Sequence, residues 1–129
     1  MFVGPPGINM VNGVLIVDDS HFMRNLLRQI IEGEFTVVGE AANGAEAVKL
    51  FKEHRPSVVM MDVVMPKCNG IKATAAIKKL DPNARVIMCT SVGQREKMKL
   101  AVKAGADGYV TKPFKEEGVK ETLENVVPA

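Results

Sequence analysis

The chain has 129 residues, 47% of them hydrophobic, which suits a single domain closed around one core. Its 17 basic and 15 acidic residues leave a formal charge of +2, too balanced to point to a nucleic-acid partner, and no run of arginines with interleaved aromatics appears. No apolar segment reaches the roughly 18 residues of a membrane span, and the first ten residues lack a signal peptide's basic start and apolar centre, so a cytoplasmic protein without membrane insertion is expected.

Gly4-Pro5-Pro6-Gly7 marks residues 1–12 as a flexible leader, with Met10 as an alternative start, and residues 13–127 as the folded domain. Gly13-Val14-Leu15-Ile16-Val17 is the first apolar run, and it ends in Asp18-Asp19-Ser20. Met23, Leu26, Leu27, Ile30 and Ile31 then recur at helical spacing, with Ser20 as N-cap and Gly33 as the stop. Phe35-Thr36-Val37-Val38-Gly39 reads as a second strand. Asn43-Gly44-Ala45-Glu46 reads as a capping box opening a second helix, whose inner face carries Ala47, Leu50 and Phe51.

After Pro56 comes Val58-Val59-Met60-Met61-Asp62, a continuous apolar run closing on one carboxylate. Such a run is the mark of a strand buried on both faces of a parallel sheet. Met65-Pro66 and Asn69-Gly70 bound the turn that follows. Ala73, Ala76, Ile77 and Leu80 form a third helical stripe, stopped by Asp81-Pro82-Asn83. Residues 85–91 make a fourth strand ending in Thr90-Ser91, and Met98, Ala101 and Val102 mark a fourth helix that Gly105 terminates. Gly108-Tyr109-Val110-Thr111 is a short fifth strand leading to Lys112-Pro113-Phe114. The last helix uses Val119, Leu123 and Val126 and carries an unfavourable Gly118. Five strand–helix units without a break imply an α/β, doubly wound five-stranded parallel sheet with five helices.

In such a sheet the strands' carboxyl ends open on one edge, where ligands bind. Asp18 and Asp19, Asp62, Thr90 and Ser91, and Lys112 therefore converge. Three clustered carboxylates repel one another unless a cation joins them, and carboxylates completed by a backbone carbonyl and water suit Mg²⁺. Asp19, Asp62 and a carbonyl of the following turn are the expected direct ligands, with Asp18 acting directly or through water. A carboxylate facing Mg²⁺, a hydroxyl and an ammonium is suited to accept a phosphoryl group.

These residues carry a resemblance. Val17-Asp18-Asp19, Met61-Asp62-Val63-Val64-Met65-Pro66 with Gly70, Thr90-Ser91, Ala104-Gly105-Ala106 with Tyr109, and Lys112-Pro113-Phe114 resemble the receiver domain of two-component response regulators. Phe22-Met23-Arg24 and Val92-Gly93 extend the likeness toward the single-domain chemotaxis regulators. The resemblance implies the flavodoxin-like sheet order 2-1-3-4-5. It implies that Asp62 is phosphorylated by the phosphohistidine of a sensor kinase, and that Asp18, Asp19 and the Val64 carbonyl hold the metal. Thr90 and Lys112 then contact the phosphoryl group, Tyr109 switches between outward and buried positions, and the Lys112-Pro113 bond is cis. Such a domain catalyses its own phosphorylation and dephosphorylation but acts primarily as a signalling switch. The partners implied are a chemotaxis-type sensor histidine kinase, a flagellar or archaellar motor switch or adaptor, and a possible phosphatase, with the carrier a monomer. The output face would be the fourth helix, fifth strand and fifth helix.

Val64 and Val92 stand where the family controls access of the attacking water, and both are apolar, so slow self-dephosphorylation is expected. Lys97, Lys99, Lys103, Lys115 and Lys120 fit either an acidic docking partner or a solvated helix face. His21 and His54 read as non-catalytic, Phe22 and Phe114 as exposed partner contacts near the site, and Cys89 as buried. Cys68 lies in the loop after Asp62 with no histidine placed to activate it. A Mg²⁺-dependent phosphatase with an aspartate nucleophile would need a second acid where Val64 stands, and a flavin carrier would want a phosphate-cradling loop where Asp18-Asp19 stands. A phosphorelay shuttle, or a stand-alone regulator outside motility, is the nearer alternative.

Overall fold

The computed structural model describes residues 13–65, 69–91 and 93–127, with Arg95 described in its backbone alone. The expectations for the leader, Pro66, Cys68 and Val92 lie outside the described residues. Strands and helices alternate: β1 Gly13–Val17, α1 His21–Ile31, β2 Thr36–Ala41, α2 Gly44–His54, β3 Val58–Asp62, α3 Gly70–Leu80, β4 Arg85–Thr90, α4 Arg95–Ala104, β5 Gly108–Thr111 and α5 Glu116–Val126. All pairings are parallel, in the order β2-β1-β3-β4-β5.

Strand alternation divides the core into two layers. Leu15, Val17, Val59, Met61, Val86 and Met88 face one way and meet Ala47 and Phe51 of α2, Ala73 and Ile77 of α3 and Ala101 of α4. Val14, Ile16, Val58, Met60, Ile87 and Cys89 face the other way and meet Leu27 and Ile31 of α1 and Val119 and Leu123 of α5. Every residue of β1 and β3 is buried, because these two strands have neighbours on both edges and helices on both faces.

The starts of α1, α2 and α3 follow the capping chemistry. The Ser20 hydroxyl accepts the Met23 N–H, and the Asn43 and Asn69 amide oxygens accept those of Glu46 and Lys72. Glu46 reaches back to the Ala42 N–H, one residue earlier than a capping box requires. At the other end of α4, Gly105 adopts a φ of 108° and donates to Ala101 and Val102, a left-handed cap that other residues take only with strain.

Four readings are corrected. β2 runs to Ala41 rather than Gly39, because pairing with β1 continues to Val17. Leu80 is 40% exposed, and the inner face of α3 is instead Gly70, Ala73, Thr74 and Ile77, with the Thr74 hydroxyl on the Met88 sulfur at 3.4 Å. Val102 is 63% exposed: Ala101, beside it, takes the inward position, and a turn of 100° carries Val102 off that face. β4 ends at Thr90, leaving Ser91 exposed in the loop.

Away from the strands' carboxyl ends, Lys78 of α3 binds the Ala84 carbonyl and, at 2.9 Å, the Asp107 carboxylate, which also accepts the Val86 N–H at 2.8 Å. This clasp ties α3 to the start of β4 and to the loop entering β5. No helix among the described residues is long and apolar enough to cross a membrane.

Gly118 sits inside α5 where an added Cβ would meet nothing within 4 Å. Gly118→Ala is therefore expected to raise stability by about 0.5–1 kcal/mol through helix propensity alone. A urea-denaturation midpoint below that of the wild type would contradict this packing of α5.

Candidate functional site

Asp18 follows β1 directly, and its N–H continues the sheet by donating to Ala41 at 3.0 Å. Its side chain is buried and held from both sides, one oxygen accepting the Ser20 N–H and the other the Lys112 ammonium, each at 2.9 Å. Its carbonyl accepts a 2.6 Å hydrogen bond from the Arg24 guanidinium. Asp19, next along, is exposed. Asp62 ends the central strand, buried, with an oxygen 3.4 Å from the same ammonium. Oxygens of Asp18, Asp19 and Asp62 all lie within 4.8 Å of one another, so the ends of two strands, β1 and β3, that are distant in sequence supply one acidic cluster.

Lys112 reaches this cluster because its own N–H is tied to the Thr90 carbonyl at 2.6 Å, which fixes the chain as it leaves β5. The Lys112-Pro113 peptide is cis, as expected from the resemblance. Thr90 is buried at the end of β4, paired with Thr111. Tyr109 points outward, 60% exposed, and shares with Thr90, Gln94, Met98 and Val102 a groove of ≈ 530 Å³ between α4 and β5.

Burial, with the Asp18 charge beside it, raises the Asp62 pKa to about 6, and Lys112 only partly offsets this. Burial alone would lower the Lys112 pKa, but its bonds to the two aspartates outweigh burial and hold it above the ordinary lysine value. Three carboxylates facing one ammonium leave the cluster with excess negative charge on hard oxygen donors. That donor set fits a small divalent cation. Gly70 brings α3 against this region: a Cβ there would stand 1.9 Å from the Asp62 carbonyl oxygen.

The other candidates sort clearly. Val64 is 42% exposed beside Asp62, and its backbone N–H supports the Asp62 carboxylate. His21 and Phe22 are exposed at the start of α1, and His54 is exposed beside Glu53. Phe114 is half-buried against the α1/α5 layer rather than exposed, its ring centroid 6.0 Å from the Lys112 nitrogen. Cys89 is buried, and burial pushes its thiol pKa far up. Of the five lysines named together, Lys120 is paired with Glu116 and Glu34, which weakens the basic face on α5.

Sequence reading singled out no role for Arg24 and Glu40. Arg24 also binds Glu40 at 3.1 Å, and Glu40 is shared with Arg28. No local spacing signals this, because Glu40 comes from the next strand.

A family model described as the response regulator receiver domain matches residues 14–124. The chemotaxis protein CheY of Halobacterium salinarum is 58% identical over 93% of this chain and 100% of its own length. That of Thermotoga maritima is 48% identical over 88% of this chain and 95% of its own. Among solved structures, the CheX–CheY–BeF3–Mg²⁺ complex of Borrelia burgdorferi superposes with a TM-score of 0.83 at 37% identity, covering 88% of this chain and 87% of that one. The chain thus belongs to the response regulator receiver domains, a family whose general function is phosphorylation-dependent signalling, and is closely related to the CheY chemotaxis regulators.

Proposed function

We propose that this protein is a phosphorylation-dependent signal carrier of a chemotaxis pathway, taking a phosphoryl group from a sensor histidine kinase onto Asp62 and then binding a flagellar or archaellar motor switch or its adaptor. The observation that carries the reading is the meeting of Asp18, Asp19 and Asp62 within 4.8 Å, with the Lys112 ammonium on both Asp18 and Asp62. A carboxylate oxygen of Asp62 attacks the phosphorus, the N–P bond to the kinase histidine breaks, and the imidazole leaves with the bonding pair.

Receiver domains bind Mg²⁺ at an acidic aspartate pocket. Here Asp18, Asp19, Asp62 and the Val64 carbonyl would hold it, and when bound it offsets charge on the phosphoryl oxygens. Lys112 moves from pairing with carboxylates to pairing with the phosphoryl group, and the Thr90 hydroxyl donates to it. Tyr109, now outward, fills the space that Thr90 vacates, changing the face of α4, β5 and α5 that the partner reads. The carrier works as a cytoplasmic monomer, and a phosphatase resets it.

Phosphotransfer from a chemotaxis histidine kinase in Mg²⁺, followed with radiolabelled phosphate, should label the wild type and leave Asp62→Asn unlabelled. Labelling of the variant to the same extent would remove Asp62 as the acceptor. Capture of partners by beryllofluoride-treated protein should retrieve a motor switch component or its adaptor; retrieval of a histidine phosphotransfer protein alone would make it a relay shuttle.

Val64 places an apolar, half-exposed side chain where water must approach the acyl phosphate. Val64→Asn is expected to speed its decay several-fold in the purified protein. Equal or slower decay would show that water access is not set there.

A further inference from the structure

The acidic loop is held by an arginine whose own charge is cancelled before it reaches the site. Arg24 donates one N–H to the Asp18 carbonyl at 2.6 Å and another to Glu40 at 3.1 Å. Glu40 in turn binds Arg28 at 2.7 Å, and Arg28 binds Glu32 at 2.8 Å. Two arginines and two glutamates alternate along α1 and β2, so the chain of ion pairs is neutral as a whole. It presents a hydrogen-bond donor to the loop without adding net positive charge to repel a cation.

The peptide whose oxygen Arg24 grips is the one joining Asp18 to Asp19. Among the described residues, the exposed Asp19 carboxylate has no hydrogen bond or ion pair of its own, so only the backbone aims it. We propose that Arg24, with Glu40 as its counter-ion, is a positioning residue for divalent-cation capture: it fixes the Asp18-Asp19 peptide plane and thereby the direction in which Asp19 meets Asp18 and Asp62. This rests on the metal-dependent reading of the site given above. Groups that orient metal ligands in this way change metal affinity by about 10-fold or more when removed.

The test is calorimetric titration of MgCl2 into the metal-free full chain, with Arg24→Gln compared with Arg28→Gln. Arg28 shares Glu40 but makes no contact with Asp18, so its loss reports the merely structural role. The expected result is a Kd raised about 10-fold in Arg24→Gln and unchanged within about twofold in Arg28→Gln. Faster hydrogen exchange of the Ser20 amide in metal-free Arg24→Gln should accompany it, since that amide is bonded to Asp18. Arg24→Lys covers the case in which Arg24→Gln does not fold: a shorter side chain ending in a single nitrogen lacks the guanidinium fork that spans the Asp18 carbonyl and Glu40, and a Kd between wild type and the expected loss follows. A Kd for the Arg24 variant indistinguishable from wild type, or an equal loss in Arg28→Gln, overturns the assignment. A wild type that binds no Mg²⁺ overturns the underlying reading as well, so the two failures are distinguishable.

Discussion

Asp62→Asn should stabilise the metal-free protein at pH 7.5 while eliminating phosphotransfer. The Asp62 carboxyl is raised from an ordinary 3.8 to about 6, first by burial and then by the charge of Asp18. An acid whose pKa is higher in the folded state binds its proton more tightly there than in the unfolded chain. Stability from this group is therefore greatest below about pH 4, falls as pH rises toward 6, and stays low above it. Two units correspond to about 3 kcal/mol at most, and some of that returns as the weaker bond from Lys112 to an amide. A net gain of about 1–2 kcal/mol, several degrees in the thermal midpoint, is expected at pH 7.5, shrinking to nothing near pH 4. Mg²⁺ should reverse the ranking: at about 100 times its Kd it stabilises the wild type by about 2.7 kcal/mol, and the variant by less. A difference between the two proteins that does not change from pH 4 to pH 7.5 would mean that Asp62 carries no electrostatic strain.

Gly70→Ala is expected to be among the most damaging single substitutions in the chain. Its Cβ would stand 1.9 Å from the Asp62 carbonyl oxygen and 2.9 Å from the carbonyl carbon, and both atoms belong to a central strand that cannot yield. The first turn of α3 must retreat, taking with it the Gly70 N–H bond to the Val63 carbonyl. A loss of about 3 kcal/mol or more in urea denaturation follows, together with weaker Mg²⁺ binding. The same chemical change at Gly118 should be favourable, so the sign of the effect depends on surroundings rather than on residue type. A Gly70→Ala protein as stable as wild type would contradict the close approach of α3 to β3.

Much of this was legible from residue order, for identifiable reasons. A carboxylate closing an unbroken apolar run can only sit where a buried strand emerges, which located Asp62, and Ser20 and Asn43 announced their helices through capping chemistry. Leu80 and Val102 were misread because an apolar residue at the flank of a helical stripe satisfies the spacing whether or not a partner covers it. Thr74 was overlooked because burial of a hydroxyl depends on an acceptor, here the Met88 sulfur, contributed by another element. The Lys78–Asp107 clasp and the Arg24–Glu40 pair join residues 29 and 16 positions apart, and such pairs become visible only once strands have been placed beside one another.

β3 is pressed between greasy layers on either side, and every one of its residues is shielded from water. A group mounted on such a beam has nowhere to drift. When charge arrives at its tip the beam stays still, and the disturbance must be absorbed by whatever around it is loosely held. The short outermost strand, with an aromatic ring already standing in solvent, is the nearest thing that can give way.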